Sequence, residues 1–294
     1  MRKIRLITTV AGISFAAMSL SGIAAEENAT LDGATFNQTV ESEPVVVIDP
    51  VATPTTTTCN VEIIDPIATP TTCKVENLVK PPDGWIVGGG EPDEALKLTP
   101  DLENGKEVYE VCAACHLDEG WGREDGTFPQ LAGQHRSVLI KQLADIRALN
   151  RDNHTMYPFT LPRAIGGPQS MSDVTAYIAE KLLMNPNNGV GAGDDLEHGK
   201  QLYKKNCVKC HCENGQGYAE YFYPRIQAQH YKYMLRQFEW IRDGKRRNAN
   251  PDMVKQIQEF TERDMKAVID YVSRLKPPPE LVARPGWVAP GSED

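Results

Sequence analysis

Two short stretches decide how this chain folds: Cys-Ala-Ala-Cys-His at residues 112–116 and Cys-Val-Lys-Cys-His at residues 207–211. Each has two cysteines three positions apart and a histidine directly after them, which is the attachment pattern of a c-type haem. Positions three apart share one face of a helix, so both thiols can reach one porphyrin while the histidine reaches its iron. The motifs therefore predict two covalently bound haem c groups. The covalent attachment residues are Cys112, Cys115, Cys207 and Cys210, and the proximal iron ligands are His116 and His211.

Two other kinds of site fit these cysteine pairs less well. In a zinc site the pairs usually lie within tens of residues of each other, whereas these are 95 residues apart, and zinc does not need the trailing histidine. A thioredoxin-like redox motif belongs in a βαβ context, which the sequence pattern does not predict. The haem interpretation is favoured because both motifs lie in matching helical repeats.

The repeat is about 95 residues long and indicates a tandem duplication. Asp101–Lys106 matches Asp195–Lys200, and residues 129–135 match residues 224–230. A unit of this length far exceeds a solenoid repeat. Apolar residues recur at helical spacing in both halves, so we predict an all-α fold of two equivalent domains.

In the first half the periodicity predicts helices over about 101–114, 135–149 and 169–184. His135 and His230 begin the middle helix of their halves, and we interpret them as helix-terminal groups or as residues behind the iron ligands. The domain prediction is a signal peptide at 1–25, an acidic Thr/Pro-rich extension at 26–98, a first domain at 99–184, a linker at 185–193, a second domain at 194–276 and an extended tail at 277–294, which we expect to lie on the surface.

The first 25 residues have the pattern of a secretory signal. A basic start precedes a mostly apolar run to Leu20, and Ile23-Ala24-Ala25 offers a small-residue cleavage site. We therefore expect the chain to be exported and the signal to be cleaved. The extension at 26–98 is rich in proline, which disfavours helices and central strands, and Gly88 to Pro92 is interpreted as its linker into the first domain.

Charge is distributed unevenly along the chain. The formal net charge is −9, and the acidic excess is concentrated in the extension, while the last third is slightly basic. This argues against nucleic-acid binding and favours either electrostatic steering of protein partners or simple solubility. A basic docking face is hypothesised near the second motif. It would comprise Lys204, Lys205, Lys209, Arg242, Lys245, Arg246 and Arg247.

Three cysteines lie outside the motifs. Two short repeats, beginning at Ile48 and Ile64, end in threonine runs that lead to Cys59 and Cys73, so an exported chain would favour a Cys59–Cys73 disulfide. The alternative is a Pro/Thr spacer with unpaired thiols. Cys212 is either a soft ligand or redox thiol, or a buried or disulfide-bonded cysteine.

Each repeat offers two methionines for the sixth iron position. Met171 and Met265 lie on the apolar face of the last helix, as core residues do. Met156 and Met253 follow the middle helix in polar surroundings, where a thioether ligand to iron is a better reason for a methionine. His154 is a rival ligand in the first half, although the second half has no matching histidine.

Together these residues resemble the cytochrome c4 family, whose members carry two class I cytochrome c domains in tandem. The resemblance rests on the two haem motifs, on Pro-Gln-Leu-Ala-Gly-Gln at 129–134 and its variant at 224–229, and on Asn-Pro-Asp-Met at 250–253. It implies haem domains that face each other about a pseudo-twofold, with propionates near the interface. It also implies the axial pairs His116/Met156 and His211/Met253, with the imidazoles oriented by the carbonyls of Pro129 and Pro224.

We therefore expect a periplasmic dihaem cytochrome that carries electrons by outer-sphere transfer between redox proteins such as an oxidase, reductase or dehydrogenase. One alternative is the cytochrome subunit of a dehydrogenase complex, docked through residues 26–98. Another is a dihaem enzyme of the peroxidase or thiosulfate dehydrogenase type, which requires an open or unusual ligand at one iron. Nucleic acid is not an expected partner, and membrane association would arise only through partners.

Overall fold

The computed structural model describes Cys73, Glu76, residues 78–82, Trp85 and residues 89–292. The predicted signal peptide and Cys59 lie outside the described residues. Across the described part, no helix is both long enough and apolar enough to cross a membrane.

The described residues form an all-α fold, as predicted, and contain no named β-strand. The first half contains α1 (Gly90–Lys97), α2 (Leu102–His116), α3 (Arg136–Arg147), α4 (Tyr157–Thr160), α5 (Pro162–Ile165) and α6 (Pro168–Lys181). The second half contains α7 (Leu196–Asn206), α8 (Val208–His211), α9 (Tyr231–Arg242), α10 (Pro251–Ile257) and α11 (Glu262–Ser273).

In each half the first and last helices of the repeat cross closely, and a glycine makes the crossing feasible. A Cβ on Gly105 of α2 would lie 2.3 Å from the carbonyl oxygen of Asp173 in α6. A Cβ on Gly199 of α7 would lie 2.1 Å from the carbonyl oxygen of Ala267 in α11. Both distances are far inside van der Waals contact, so any larger residue would push the helices apart.

Aromatic and sulfur side chains fill the two crossings. Tyr109 packs against Tyr177 with ring centroids 5.5 Å apart, and Tyr203 packs against Tyr271 at 5.7 Å. Met171 and Met265 are fully buried at the equivalent places, which confirms that they are core residues. The duplicated pattern in the sequence is therefore a duplicated core in the structure.

One stretch expected to be a linker is helical. Residues 90–97 form α1, and Ala95 is fully buried in the core of the first domain. The Arg136 guanidinium donates to the carbonyls of Ala95 and Leu98, which fixes the helix in place. Pro92 does not prevent the helix because it lies in the first turn, where no intrahelical N–H bond is needed.

The tail after Pro277 was expected to lie on the surface, and the structure corrects this. It returns to the first domain, where Ala289 is buried in the core and the Trp287 ring lies 6.1 Å from that of Trp121. Tyr177 donates its hydroxyl hydrogen to the carbonyl of Pro290 at 2.8 Å. Prolines exclude a regular helix here, but the apolar residues between them still gain by burial.

The two domains meet through reciprocal hydrogen bonds. The Gln134 side chain donates to the carbonyl of Arg225 and accepts from its N–H, and Gln229 makes the same two bonds to Gln130. Gln134 and Gln229 are 95 residues apart, and so are their partners Gln130 and Arg225. The two sets of bonds are therefore equivalent, as the expected pseudo-twofold requires.

Two histidines complete this interface. His135 and His230 are the N-terminal caps of α3 and α9, as expected from the sequence. Their rings, however, cross to the other domain. Nε2 of His135 lies 2.8 Å from the carbonyl oxygen of Gln216, and Nε2 of His230 lies 2.7 Å from that of Trp121. They are therefore interface residues, placed opposite one another by the duplication.

Candidate functional site

Both haem motifs end a helix and bury their histidine. Cys112 and Cys115 lie in the last turns of α2, which ends at His116. In the second half α7 stops at Asn206, and the motif forms the separate short helix α8, which ends at His211. The four motif cysteines form no disulfide, and both histidine side chains are buried.

A proline carbonyl orients each of these imidazoles. Nδ1 of His116 lies 2.9 Å from the Pro129 carbonyl oxygen, and Nδ1 of His211 lies 3.1 Å from that of Pro224. A carbonyl can only accept, so Nδ1 carries the hydrogen and Nε2 is left with its lone pair. Burial lowers the pKa of both imidazoles, which favours the neutral form that binds metals.

One continuous cavity of about 580 Å³ connects the two motifs. Its wall includes all four motif cysteines and both motif histidines. Met156 and Met253 also line it, and each packs against the apolar core of its own domain. His154 is exposed to solvent, although its neighbours Asn153 and Thr155 reach the wall. The structure thus brings each predicted histidine–methionine pair into a common space and leaves the rival His154 outside.

Two arginines, the buried Arg151 and the partly buried Arg246, line the same cavity at the domain interface. Arg151 donates to Gln142 at 2.8 Å and to Gln237 at 3.0 Å. Arg246 donates to Gln237 at 3.1 Å and to Gln142 at 3.0 Å. Their other side-chain hydrogen-bond partners in the described part of the chain are the Tyr233 hydroxyl and the Asn248 amide, neither of which is a carboxylate.

The carboxylate that acts on Arg246, Asp145, is itself paired with Lys141 at 2.6 Å, so among the described residues neither arginine has an anionic hydrogen-bond partner. Burial, and then the positive charge of Arg151, lowers the pKa of Arg246 to about 9, so the guanidinium is still cationic at neutral pH. Burying a cation without an anion is strongly unfavourable. A haem carries two carboxylates, so two haems supply the anions that this wall of the cavity requires. The residues present therefore fit the cofactor.

The predicted Cys59–Cys73 disulfide is wrong, because Cys73 has a different partner. Cys73 is bonded to Cys212, with Cα atoms 5.4 Å apart. The reason is that the chain near Cys73 lies on the second domain: Val79 N–H donates to the carbonyl of Lys209 at 3.1 Å. Cys212 is buried directly behind the second motif and is therefore a structural cysteine and not a free redox thiol.

Two of the seven residues of the hypothesised basic face belong to the domain interface instead. Lys204, Lys205 and Lys209 are exposed around the second motif, as expected. Arg246, in contrast, lies between the domains, and Arg247 pairs with Asp152 of the first domain at 2.7 Å. Both arginines serve the domain interface because the loop that carries them follows α9 onto the first domain.

Sequence reasoning missed the arginine–glutamine cluster. The signal was present, because Gln142 and Gln237 are 95 residues apart, as are Arg151 and Arg246. These pairs repeat at the same offset as the haem motifs, and a search for polar identities at that offset would have found them.

Comparisons with known proteins agree with this site. The family model described as Cytochrome c matches residues 102–181 and 196–276, more than half of the chain. Cytochrome c4 of Azotobacter vinelandii is 28% identical over 191 residues, covering 60% of this chain and 89% of that protein. Cytochrome c4 of Pseudomonas aeruginosa is 29% identical over 182 residues, with the same coverage of 60% and 89%.

A solved structure shows the same architecture. The crystal structure of reduced recombinant cytochrome c4 from Pseudomonas stutzeri matches with a TM-score of 0.52 and 27% identity, covering 60% of this chain and all of that one. The family match begins at residue 102, so the described part of the extension, including Cys73, lies before it. The duplicated fold, the paired motifs and these similarities show that the chain belongs to the cytochrome c family, as a cytochrome c4-like dihaem electron carrier with two covalently bound haem c groups.

Proposed function

We propose that this protein is a periplasmic carrier that passes electrons by outer-sphere transfer between redox proteins, with both irons six-coordinate. The observation that carries the proposal is the pairing of a buried, carbonyl-oriented histidine with a cavity-lining methionine in each domain. A histidine and a methionine at each iron would leave substrates and oxygen species no position to bind, so that only electron transfer would remain.

The residues have separate tasks in this proposal. The four motif cysteines attach the two porphyrins, and Nε2 of His116 and of His211 supplies the proximal ligand. Met156 and Met253 supply the thioether ligands, which raise the reduction potential relative to a second imidazole. The carbonyls of Pro129 and Pro224 hold the imidazoles so that little motion accompanies a change of oxidation state.

Arg151 and Arg246 are proposed to hold the haem carboxylates. Both line the cavity, both are directed by Gln142 and Gln237, and both lack an anionic hydrogen-bond partner in the described part of the chain. A haem iron supplies the one-electron chemistry between its ferric and ferrous states. The arginines would favour the ferrous state, which carries one positive charge less.

The carrier proposal is favoured over the two alternatives by specific contacts. An enzyme would need an open position, whereas both Met156 and Met253 line the cavity. A docking element for a larger dehydrogenase would be available to a partner, whereas the described part of residues 26–98 is bonded to this chain's own domains. The periplasmic location rests on the signal pattern of residues 1–25 and on the c4-like family.

An anaerobic redox titration tests the proposal. We expect two reversible one-electron steps, low-spin spectra in both oxidation states, and no spectral change when carbon monoxide is added to the reduced protein. Binding of carbon monoxide to either haem would show an open or readily vacated position and would support the enzymatic alternative.

A further inference from the structure

One segment ties the two domains together outside the c4-like fold. We call it the strap: Cys73, residues 78–82 and Trp85. Its first anchor is the disulfide from Cys73 to Cys212, the residue after the proposed iron ligand His211. Its second anchor is backbone pairing at Val79, whose N–H donates to Lys209 within the second haem motif.

The strap also closes over an aromatic wall of the second haem crevice. The Tyr223 hydroxyl donates to the carbonyl of Val79 at 2.8 Å, and the Tyr223 ring lies 6.4 Å from that of His211. The Trp85 ring packs against Tyr223, with ring centroids 6.0 Å apart. Both Trp85 and Tyr223 are part of the cavity wall.

Trp85 is held from both domains. Its indole N–H donates to the carbonyl of Asn248 in the second domain at 3.3 Å. The Lys141 ammonium group of the first domain lies 5.2 Å from the centre of the indole system. The chain then enters α1, which is buried on the first domain. The strap therefore contacts both domains, and Trp85 lines the cavity at their interface.

The first crevice has no equivalent cover. Phe128, the counterpart of Tyr223 at the 95-residue offset, is partly exposed, whereas Tyr223 is 3% exposed. Phe159, which lines the cavity beside Met156, is 48% exposed. Residues of α1 and of the tail pack on the first domain, but among the described residues outside the two repeats only Trp85 lines the cavity.

The disulfide is an addition and not a requirement of the fold. Cys212 has a φ of 63°, and its counterpart Leu117 has the same backbone conformation with a φ of 67°. Both residues receive the same bond from the core tyrosine, Tyr203 to the Cys212 carbonyl and Tyr109 to the Leu117 carbonyl. A leucine thus fulfils the local role in the first domain, and the thiol at Cys212 serves the strap.

We propose that the strap seals the second haem against external redox partners, so that electrons enter and leave the protein through the first haem. The disulfide and Trp85 keep this cover fixed, and the second haem exchanges electrons with the first across the domain interface. This inference rests on the proposed carrier function, because it specifies which of the two haems a partner reaches.

The test measures the reduction rate of each haem separately, with the strap anchored and with its anchors removed. The release variant combines Cys73→Ser, Cys212→Ser and Trp85→Ala. In a Met156→His background the first haem has a lowered potential, so a mild small reductant such as ascorbate reduces only the second haem directly. The matched control is a Met253→His background, in which only the first haem is reduced. Rate constants come from stopped-flow absorption.

In the Met156→His background the release variant should be reduced at least about tenfold faster than the strapped protein, equivalent to ~1.4 kcal/mol in activation free energy. In the Met253→His background the same release should leave the rate unchanged. Equal rates with and without the strap in the Met156→His background would overturn the proposal. Continued protection of the Val79 amide from hydrogen exchange in the release variant would also overturn it, since the named anchors would then not hold the strap.

A second measurement does not depend on the axial ligands. A soluble gadolinium chelate should broaden the haem-methyl NMR signals of the first haem in the native protein, and those of both haems in the release variant. Equal broadening of both haems in the native protein would contradict the cover. If equilibrium titration shows that Met156→His changes neither potential, the ligand assignment fails, and this NMR result alone decides on the strap.

Discussion

Arg151 and Arg246, 95 residues apart in the sequence, donate to the same two acceptors, the side-chain oxygens of Gln142 and Gln237. The duplication has thus brought two equivalent cations together at the pseudo-twofold, where they face one cavity. Like charges held this close repel each other unless anions intervene. In the proposed arrangement the haem carboxylates would be those anions.

Replacing either arginine should lower a haem potential. A unit charge ~10 Å from an iron at an effective dielectric of ~20 is worth ~1.7 kcal/mol, or ~70 mV for one electron. Arg151→Gln or Arg246→Gln removes a charge that favours the ferrous state, so spectroelectrochemistry should show a downward shift of that order. Arg163→Gln, an exposed change of equal charge, should shift neither potential measurably. An upward shift in the Arg151 or Arg246 variant would contradict the assignment.

Gln229 should stabilise the domain interface. Gln229→Ala leaves the buried N–H and carbonyl of Gln130 without partners, which costs about 1–3 kcal/mol. The urea midpoint should fall accordingly, and the separation between the two haem potentials should change as the domains loosen. The control is Gln201→Ala, which removes an exposed hydrogen bond to Glu197. Its free energy of unfolding should stay within about 0.5 kcal/mol of that of the native protein. Equal midpoints for the two variants would show that the reciprocal bonds contribute nothing.

The interface should weaken in mild acid because of His135. Burial, and then the positive charge of Arg225, lowers its pKa from 6.5 to about 4. As the pH falls from 6.5 toward 4, His135 becomes protonated in the unfolded chain but stays neutral in the folded protein. The free energy of unfolding therefore decreases over this range. The loss is at most about 3.4 kcal/mol.

The neutral variant His135→Gln isolates this contribution. Its urea midpoint should decline less between pH 7 and pH 4.5 than that of the native protein. Burial lowers the pKa of His230 in the same direction, so His135→Gln should retain part of the acid sensitivity. If the native protein and the variant declined in parallel, His135 would titrate normally and the interface argument would fail.

Peptide mapping under non-reducing conditions should recover Cys73 linked to Cys212. Cys73→Ser should lower the free energy of unfolding by about 2–4 kcal/mol, because the cross-link closes a long loop. Recovery of a Cys59–Cys73 peptide would instead support the pairing that the repeated threonine runs suggest.

The haem count, the two domains and the core methionines could be predicted because they depend on local periodicity and on fixed spacing. Met171 and Met265 recur on apolar helix faces, and burial is the simplest outcome of that pattern. The Cys73–Cys212 bond could not be predicted, since it joins residues 139 positions apart and depends on where the strap lies. The same applies to α1 and to the tail, whose burial is decided by tertiary contacts and not by their own composition.

The interface histidines show the same limit. His135 and His230 were placed correctly at helix starts, but their partners belong to the opposite domain. Such contacts depend on how the two domains are placed relative to each other, and the sequence pattern of each half does not predict that placement.

The central claim is that Met156 and Met253 are the sixth ligands, and the far-red Met–Fe charge-transfer band of the ferric protein tests it most directly. We expect Met156→Ala and Met253→Ala each to remove the band of one haem and leave that of the other, while His154→Ala leaves both. A native protein that shows the band for only one haem, or a Met156→Ala variant that keeps both while His154→Ala changes the spectrum, would contradict the account.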